Sequence, residues 1–418
     1  MRGALESNEM DTLESGPPSS VCPALTAATG VPGRSEPVRH LYVHVPFCAH
    51  KCEYCAFFSE VPSGDLMGRY VAALGRELEI VAGDLRPATI YFGGGTPSLL
   101  TRRHWETVLR QMERLGLLGA AEFTIECNPA TVSADKACLL RDFGVNRVSM
   151  GVQSLDETLL DRLGRVHSRP QVFQSYEILR RAGFTNVNVD LMFAIPGQTM
   201  DVWRRTLQEA AALGSEHLSC YEVIYEEDTA LFAQLEAGQF DVNEELACAM
   251  YDVLLEAASG AGFRQYEIAN FARPGTDSDS AVPGFACRHN VNYWRGGSFY
   301  GLGPSATSYV RGERTRNWAN TPLYCKLLEK GRRAVESREQ LPPLGRAGET
   351  AAFGLRMNAG WRFDEFQAVT GFDLRGEWRG DLDWLERQGF GERLEDRFRL
   401  TPRGLRFADL AAERLLRP

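Results

Sequence analysis

The stretch Leu41-Tyr-Val-His-Val-Pro-Phe47 is a mostly apolar run that leads directly into the loop Cys48-Ala-His-Lys-Cys52-Glu-Tyr-Cys55. The run has the length and the apolar content of a buried β-strand. The loop that follows sets three cysteines at the spacing CxxxCxxC. A strand that delivers three thiols at its carboxyl end is therefore the first unit of the predicted fold.

Five further apolar runs follow before residue 225 and alternate with amphipathic helical patterns. The predicted strands are Leu41–Phe47, Thr89–Phe92, Phe123–Cys127, Arg147–Val152, Asn186–Phe193 and His217–Ile224. The predicted helices include Asp65–Val81, Arg102–Leu115, Ala134–Phe143 and Asp201–Leu213. Such alternation is typical of a parallel sheet built from βα units. It predicts an α/β fold, a partial (β/α)6 TIM-like barrel over residues 41–225 that is open on one side.

Beyond residue 225 the alternation stops, and we predict two further regions. Residues 226–340 contain a helix near Asn243–Ala261 and a segment rich in glycine and aromatic residues at Cys287–Tyr309, which we expect to close the open side of the barrel. Residues 341–418 contain helices, a two-stranded wing at Gly391–Leu400 and a last helix at Pro402–Leu416. This C-terminal α+β region is predicted to end in a winged-helix-like domain. Because its charges are of both signs, we expect packing or partner docking rather than DNA binding.

The composition limits the class of protein and its compartment. The chain has 418 residues and a formal net charge of -9, which argues against a nucleic-acid partner. Residues 1–40 contain a Pro-Pro pair, serines and glycines with little periodicity, so we expect a disordered leader. The ten cysteines are dispersed, and we find neither a secretory signal nor an apolar run long enough for a transmembrane segment. We therefore predict a reducing, cytoplasmic location.

The three clustered cysteines predict an iron–sulfur site. Thiolates are the natural ligands of such clusters, so Cys48, Cys52 and Cys55 are expected to hold three corners of a [4Fe–4S] cluster. The fourth iron then stays open for the amine and carboxylate of S-adenosylmethionine (SAM), whose one-electron cleavage yields a 5′-deoxyadenosyl radical. The alternatives are plain structural cysteines, or a zinc site completed by His44 or His50.

Polar groups follow several other predicted strands. The second strand ends in Phe92-Gly-Gly-Gly-Thr-Pro97, where glycines let the backbone approach a ligand closely. Glu126, Gln153 and Asp190 lie at or near the ends of the next three strands, where a polar side chain is costly to bury without a partner. Because the carboxyl ends of barrel strands meet at one mouth, we expect one shared site. Arg165 adds a guanidinium that suits the SAM carboxylate. Taken singly, each has the alternative of a structural hydrogen bond or, for Arg165, a solvated helix end.

With these residues in place, the chain resembles the branch of the radical SAM family that contains oxygen-independent coproporphyrinogen III dehydrogenase and a haem chaperone. The resemblance runs from Leu41 to the C-terminus. It is carried by motifs that include HisValProPheCys, GlyGlyGlyThrPro, AsnArgValSerMetGlyValGlnSer, LeuGlyArgValHis and CysArgHisAsnValAsnTyrTrp. It implies SAM contacts at Tyr42, Gly94, Gly95, Thr96, Glu126, Gln153, Arg165 and Asp190.

Two features distinguish the members of this branch. The dehydrogenase motif continues with a fourth cysteine two residues after the third, where this chain has Phe57, and the chaperone motif has an aromatic residue there. The segment from His289 to Trp294 matches the HNxxYW pattern that the chaperone uses for haem. The resemblance therefore implies a haem chaperone that binds haem at His289, Tyr293 and Trp294. From the residues alone, a buried histidine with a core aromatic pair is the simpler interpretation, and Cys287 is a less favoured thiolate ligand.

The resemblance leaves the reaction open. The alternative to a chaperone is an enzyme, the oxidative decarboxylation of coproporphyrinogen III or a radical reaction on another small substrate, and no catalytic residue is assigned. The family also implies an acceptor haemoprotein, an electron donor and a possible homodimer. One departure is Thr307, which stands where relatives commonly carry a histidine. It bears on the detail of the predicted haem site.

Overall fold

The structure of the chain is a computed structural model that describes residues 36–276 and 280–417. The predicted leader lies outside the described residues up to residue 35. The first strand begins at Val38, three residues before the predicted start at Leu41, so residues 38–40 belong to the sheet and not to a leader. The reason is that Val38 is buried and pairs with Leu85 of the neighbouring strand.

Six strands of the first half pair in parallel and in chain order. They are β1 (Val38–Val45), β2 (Leu85–Gly94), β3 (Glu122–Cys127), β4 (Arg147–Gln153), β5 (Val187–Phe193) and β6 (His217–Glu222). The helices between them are α1 (Leu66–Val81), α2 (Arg102–Arg114), α3 (Ala134–Asp142), α4 (Glu157–Arg162), α5 (Arg169–Arg181) and α6 (Met200–Ala212). The predicted α/β fold, a partial (β/α)6 barrel, is confirmed.

Successive side chains along each strand point alternately into the apolar core and into the interior of the barrel. In β4, Val148, Met150 and Val152 belong to the apolar core, whereas the residues between them line a cavity. Side chains on one strand alternate between faces, so a strand with apolar residues at every second position must bury one face and turn the other to the interior. The helices begin where the sequence supplies caps: the hydroxyls of Thr101 and Thr199 accept backbone N–H groups at the starts of α2 and α6.

The second region extends the sheet at both edges. Its elements are α7 (Ala230–Glu236), α8 (Glu244–Gly260), β7 (Arg264–Glu267), β8 (Asn270–Ala272), α9 (Arg288–Trp294), β9 (Tyr300–Leu302), β10 (Thr307–Val310), β11 (Glu313–Asn317), α10 (Thr321–Glu329) and β12 (Val335–Glu339). Strand β8 pairs antiparallel with β6, and β9 pairs parallel with β1. Within the described residues the sheet order is β7-β8-β6-β5-β4-β3-β2-β1-β9. That this region closes the barrel stays a prediction.

The C-terminal region has an apolar core of its own that contains Trp361, Phe366 and Trp378. Its elements are α11 (Pro343–Gly354), β13 (Trp361–Arg362), α12 (Phe363–Thr370), α13 (Leu374–Glu377), α14 (Arg379–Arg387), β14 (Gly391–Arg393), β15 (Arg397–Leu400), α15 (Pro402–Arg406) and α16 (Ala408–Leu415). Strands β14 and β15 form the predicted wing. The predicted last helix is two helices, because the chain departs from helical geometry at Phe407. The domain boundaries at 225/226 and 340/341 stay predictions.

Every helix within residues 36–276 and 280–417 is too short or too polar to cross a membrane.

Candidate functional site

A cavity of about 420 Å³ extends from the carboxyl ends of the barrel strands down to the start of β4. It brings together all but one of the residues predicted for the cluster and for SAM. Those that line it are Cys48, Cys52, Cys55, Gly94, Gly95, Thr96, Glu126, Gln153, Arg165 and Asp190. Tyr42 is not among the lining residues. Its ring stacks on that of Tyr91, and its hydroxyl lies 3.1 Å from His44 Nδ1.

The cysteine loop presents three free, partly exposed thiols to this cavity. Cys48 Sγ lies 3.5 Å from Thr96 Oγ1, and burial raises the pKa of the Cys55 thiol. Within the described part of the chain, no group of three or more His, Cys, Asp or Glu side chains is arranged to hold a single metal ion. Three thiols on one short loop, with no fourth cysteine in it, are the donor set of a [4Fe–4S] cluster with one open iron.

Of the two histidines considered as a fourth zinc ligand, His50 lines the cavity and His44 is engaged elsewhere. His44 uses both ring nitrogens: Nε2 lies 2.8 Å from the carbonyl oxygen of Phe58, and Nδ1 contacts the Tyr42 hydroxyl. Burial lowers its pKa, so the ring stays neutral. The structure therefore gives His44 a packing role beneath the loop.

The glycines after Phe92 allow the end of β2 to pack closely against the residues that lead into the cysteine loop. A Cβ on Gly95 would lie 2.8 Å from the carbonyl oxygens of Val45 and Phe47, and the Gly95 N–H donates to Val45 at 2.8 Å. Gly94 has a φ of 103°, and a Cβ there would lie 2.4 Å from the His44 ring. Only glycine allows this approach and this backbone. The motif thus has a structural reason beside the predicted contact with a ligand.

Two carboxyl groups face the cavity from adjacent parts of the sheet. Glu126 accepts hydrogen bonds from the Tyr91 hydroxyl at 2.8 Å and from the Gly94 N–H at 3.2 Å. Burial, reinforced by the nearby Asp190 carboxyl, raises the pKa of Glu126 to about 7. Asp190 accepts from Ser149 at 3.2 Å and Asn188 at 2.7 Å, and burial raises its pKa. Such carboxyls suit a ligand that brings hydroxyl or ammonium donors.

Gln153 and Arg165 complete the upper wall of the cavity. Gln153 has a φ of 65°, a left-handed conformation that a non-glycine residue adopts at a cost, and such strain is concentrated at functional sites. Its Oε1 accepts from the Tyr221 hydroxyl at 3.1 Å. Arg165 Nη2 donates to the Gly151 carbonyl at 2.6 Å, and its Nη1 lies 3.6 Å from Cys52 Sγ. The guanidinium therefore lies beside a predicted cluster ligand.

The predicted haem segment forms the short helix α9. Both oxygens of Glu122 in β3 hold its first turn: Oε2 accepts from the Arg288 N–H at 2.9 Å and Oε1 from the His289 N–H at 3.0 Å. His289 is fully buried, with Nδ1 2.7 Å from Thr89 Oγ1 and Nε2 2.8 Å from the Tyr293 hydroxyl. Burial lowers its pKa to about 3, so the imidazole is neutral. Both ring nitrogens are occupied here, so a bond to haem iron requires that one of these contacts is given up.

Tyr293 and Trp294, near the end of α9, line a second cavity of about 230 Å³. Other residues around it include Phe299, Tyr309, Arg314, Glu349 and Phe353. Asn290, on the same helix, lines the first cavity. Helix α9 thus contributes side chains to a polar cavity and to an aromatic one.

Two other residues that the sequence raised lie outside both cavities. Cys287 is fully buried, its Sγ lies 3.5 Å from Glu122 Oε1, and burial raises its pKa to about 12, so it is a core residue. Thr307 begins β10 and pairs with Arg316 of β11. It lines neither cavity.

Sequence reasoning missed the lower half of the first cavity. Its walls include Arg147, Ser149, Asn188 and Asn290, none of which we predicted as site residues. A signal was present in β4, where Arg147, Ser149, Gly151 and Gln153 occupy every second position. A strand that places polar or small residues on one face and apolar residues on the other turns its polar face to a site or to solvent.

Comparisons with known proteins match most of the chain. The family model described as the radical SAM superfamily matches residues 42–210, and that of the HemN C-terminal domain matches residues 341–407. The heme chaperone HemW of Bacillus subtilis is 33% identical over 379 residues, which cover 88% of this chain and 96% of that protein. The heme chaperone HemW of Mycobacterium tuberculosis is 32% identical over 90% of this chain and 94% of that protein. Coproporphyrinogen III oxidase (HemN) from Escherichia coli superposes with a TM-score of 0.78 over 91% of this chain and 90% of that chain, at 22% identity, which is a similarity of fold.

Proposed function

Because the chain belongs to the heme chaperone HemW family, we propose that it binds haem and transfers it to a haemoprotein. The observation that carries the proposal is that α9 contributes to both cavities. Asn290 lines the cavity with the cluster and SAM residues, and Tyr293 and Trp294, one turn later, line an aromatic cavity. Flat apolar surface of this kind suits the face of a porphyrin.

The first cavity is proposed as the cofactor site. Cys48, Cys52 and Cys55 hold the [4Fe–4S] cluster, which when bound supplies the electron that cleaves SAM. Arg165, 3.6 Å from Cys52 Sγ, is placed to pair with the SAM carboxylate near the open iron. The remaining contacts to SAM are proposed at Gly94, Gly95, Thr96, Glu126, Gln153 and Asp190. Tyr42 is proposed as a positioning residue, because it stacks on Tyr91, which donates to Glu126.

The second cavity is proposed as the haem site. Tyr293 and Trp294 would cover the porphyrin. His289 is fully buried and lines neither cavity, so its neutral imidazole would become the iron ligand only after Nε2 is released from the Tyr293 hydroxyl. The Nδ1 contact with Thr89 then orients the ring, as the second nitrogen of a ligating histidine commonly does. The exposed side chain of Phe353 extends the aromatic surface at the edge of this cavity.

The test is a haem titration of the anaerobic, cluster-reconstituted full chain, followed by the Soret band. We expect His289→Ala to change the Soret spectrum and Trp294→Ala to weaken haem binding by about tenfold, the loss of roughly 1.4 kcal/mol. Trp384→Ala, in the C-terminal region, is the control and should bind haem as the wild type does. An unchanged spectrum and affinity in both α9 variants would contradict the proposal.

The second candidate is the decarboxylation of coproporphyrinogen III, which the fold permits. The residue that argues against this reaction is Phe57, because the dehydrogenase motif has a further cysteine at this position. Phe57 is 70% exposed and lines the cavity at its mouth. Incubation of the reconstituted protein with coproporphyrinogen, SAM and a reductant separates the two. Accumulation of protoporphyrinogen would support the enzyme and count against the chaperone.

The partners and the compartment are proposed on chemical grounds. The proposed function requires an acceptor haemoprotein and an electron donor for the cluster, and we propose a homodimer, as the family resemblance implies. We propose a reducing, cytoplasmic location. Its support is that all nine described cysteines are free thiols, four of them buried.

A further inference from the structure

A buried arginine lies at the floor of the first cavity without a partner. Arg147 begins β4, is 2% exposed and lines the cavity. Among the residues that the structure describes, its guanidinium makes no hydrogen bond and no ion pair, and Nε is fully enclosed without a partner. A guanidinium keeps its charge inside proteins, so the desolvation of Arg147 is uncompensated by contact.

The nearby acidic groups are already engaged elsewhere. Both carboxylate oxygens of Glu122 accept hydrogen bonds, from the backbone N–H groups of Arg288 and His289. Asp190 accepts from Ser149 and Asn188. These carboxylates lower the electrostatic potential around Arg147, but none of them contacts it. An unpaired buried charge costs several kcal/mol, which a bound anion can offset.

Asn290 is a second unpartnered group that lines the same cavity. Its side-chain amide has no hydrogen bond to any residue in 36–276 or 280–417. The neighbouring amides differ: Asn188 Nδ2 donates to Ser149 and Asp190, and Asn270 Nδ2 donates to Glu267. Unpaired donors thus remain at Arg147 and Asn290.

We propose that Arg147, assisted by the amide of Asn290, binds the carboxylate of a small molecule held in this cavity together with SAM. A carboxylate accepts two parallel N–H groups from a guanidinium, which fixes its orientation as well as its charge. Because the amide of Asn290 also donates, the site favours an anion over a neutral ligand of the same shape.

This subsite is distinct from the place proposed for the SAM carboxylate. Arg165 is anchored on the carbonyl of Gly151, at the upper end of β4 and beside Cys52. Arg147 begins the same strand, four residues before Gly151, so the Cα atoms of these two positions lie about 13 Å apart along the strand axis. Arg147 and Arg165 therefore reach the cavity from different ends of β4. The inference rests on the proposed SAM site only for the identity of the neighbour, and it is independent of haem.

The experiment measures thermal unfolding of the cluster-reconstituted full chain without SAM or haem. Sodium propionate is the probe, propionamide is its neutral counterpart, and sodium chloride keeps the ionic strength constant. Three variants are compared with the wild type: Arg147→Met, which keeps much of the side-chain volume and removes the charge, Arg147→Lys, and the control Arg180→Met. Arg180 lies in α5 and already pairs with Glu216 at 2.8 Å.

We expect propionate, and not propionamide, to raise the Tm of the wild type saturably by about 2 °C or more, the shift that binding worth roughly 1 kcal/mol produces. Arg147→Met should lose this response, because the guanidinium that would pair with the carboxylate is gone. Arg147→Lys should respond weakly. Arg180→Met should unfold at a lower temperature and keep the response.

Two results overturn the proposal. If Arg147→Met unfolds at a clearly lower temperature and still responds to propionate, Arg147 is a structural counter-charge to Glu122. If Arg147→Met loses SAM affinity as strongly as Arg165→Met does, the carboxylate at Arg147 is that of SAM and there is no second ligand. Failure of haem binding in the titration above would leave both readouts unaffected, so the two proposals fail separately.

Discussion

The two cavities that α9 helps to line differ in what they leave unpaired. The first exposes charged and polar groups: Glu126 with a raised pKa, and Arg147 without a partner. The second is walled by rings and leaves one buried donor unpaired, Trp294 Nε1, while Arg314 pairs with Glu349 at 2.6 Å and Tyr293 contacts His289. The first cavity therefore needs ligands that supply charge and hydrogen bonds, whereas the second needs apolar cover and one hydrogen-bond acceptor. Changes in the first should act through charge and backbone geometry, and changes in the second through contact area.

The largest expected effect concerns the cluster end of the first cavity. Cys52→Ala removes one of three corners, and we expect complete loss of the brown 4Fe–4S absorbance after anaerobic reconstitution. Cys138→Ala, on the exposed side of α3, is the matched control and should keep the cluster. Four irons per chain in the Cys52 variant, by iron analysis, would remove the basis for assigning the loop.

The next effect concerns the wall between β2 and the cysteine loop. Gly95→Ala places a Cβ 2.8 Å from two backbone carbonyl oxygens, so either the loop or β2 must move. We expect the free energy of unfolding to fall by about 3 kcal/mol, the upper part of the usual range for overpacking. Gly380→Ala, in α14 with no atom within 4 Å of the new Cβ, should be neutral or slightly stabilising. Equal stability of the two variants in urea would show that the loop is not held by this contact.

A smaller effect, a pH-dependent change in the free energy of unfolding, is expected for Glu126 in the first cavity. The folded-state pKa of Glu126 is about 7 against an ordinary value of 4.5, so the folded chain holds this proton where the unfolded chain has released it. The contribution of Glu126 to stability is therefore greatest below pH 4.5 and falls as the pH rises from 4.5 through 7. Glu126→Gln should remove this fall and stabilise the chain at pH 8 by at most about 3 kcal/mol, because the carboxyl faces the cavity. Urea unfolding at pH 5 and pH 8 measures it, with Glu113→Gln on the exposed face of α2 as the control. An unchanged pH dependence in Glu126→Gln would assign the effect to other groups.

The smallest effect is expected at the edge of the second cavity. Phe353 is 44% exposed, so Phe353→Ala should change the free energy of unfolding by less than about 1.5 kcal/mol while weakening haem binding severalfold. Val369→Ala, a similarly exposed apolar residue of α12, serves as the control and should leave haem affinity unchanged. A large loss of stability, without a change in haem affinity, would place Phe353 in the core and not in the binding surface.

The sequence was informative where function depends on spacing along one loop or strand. The order of strands, the cysteine loop and the polar ends of β3, β4 and β5 follow from local periodicity and from the rule that strand ends meet at one mouth. The cavity floor did not follow, because the alternation in β4 marks a polar face without deciding between a site and solvent, and an arginine at the start of a strand is ordinarily solvated. The contact between His289 and Thr89 was likewise beyond reach, since the two residues are 200 positions apart in the chain.

The orientation of the Tyr42 ring is a further feature that the sequence motif did not predict. It lies on β1 one strand away from Tyr91, and whether its ring faces the cavity or its neighbour depends on a contact that only the packed sheet decides. The break between α15 and α16 at Phe407 is a similar case, because the helical pattern continues through it.

The hydrogen bonds from Glu122 to α9 have a consequence for how the chain is made. They join positions separated by 166 and 167 residues, so they form only when the sheet already contains β3 and the chain has been synthesised past residue 289. The helix that carries Tyr293 and Trp294 is too short to persist alone in water. The aromatic surface is therefore one of the last parts of the chain to form, and an incompletely folded nascent chain does not yet display it.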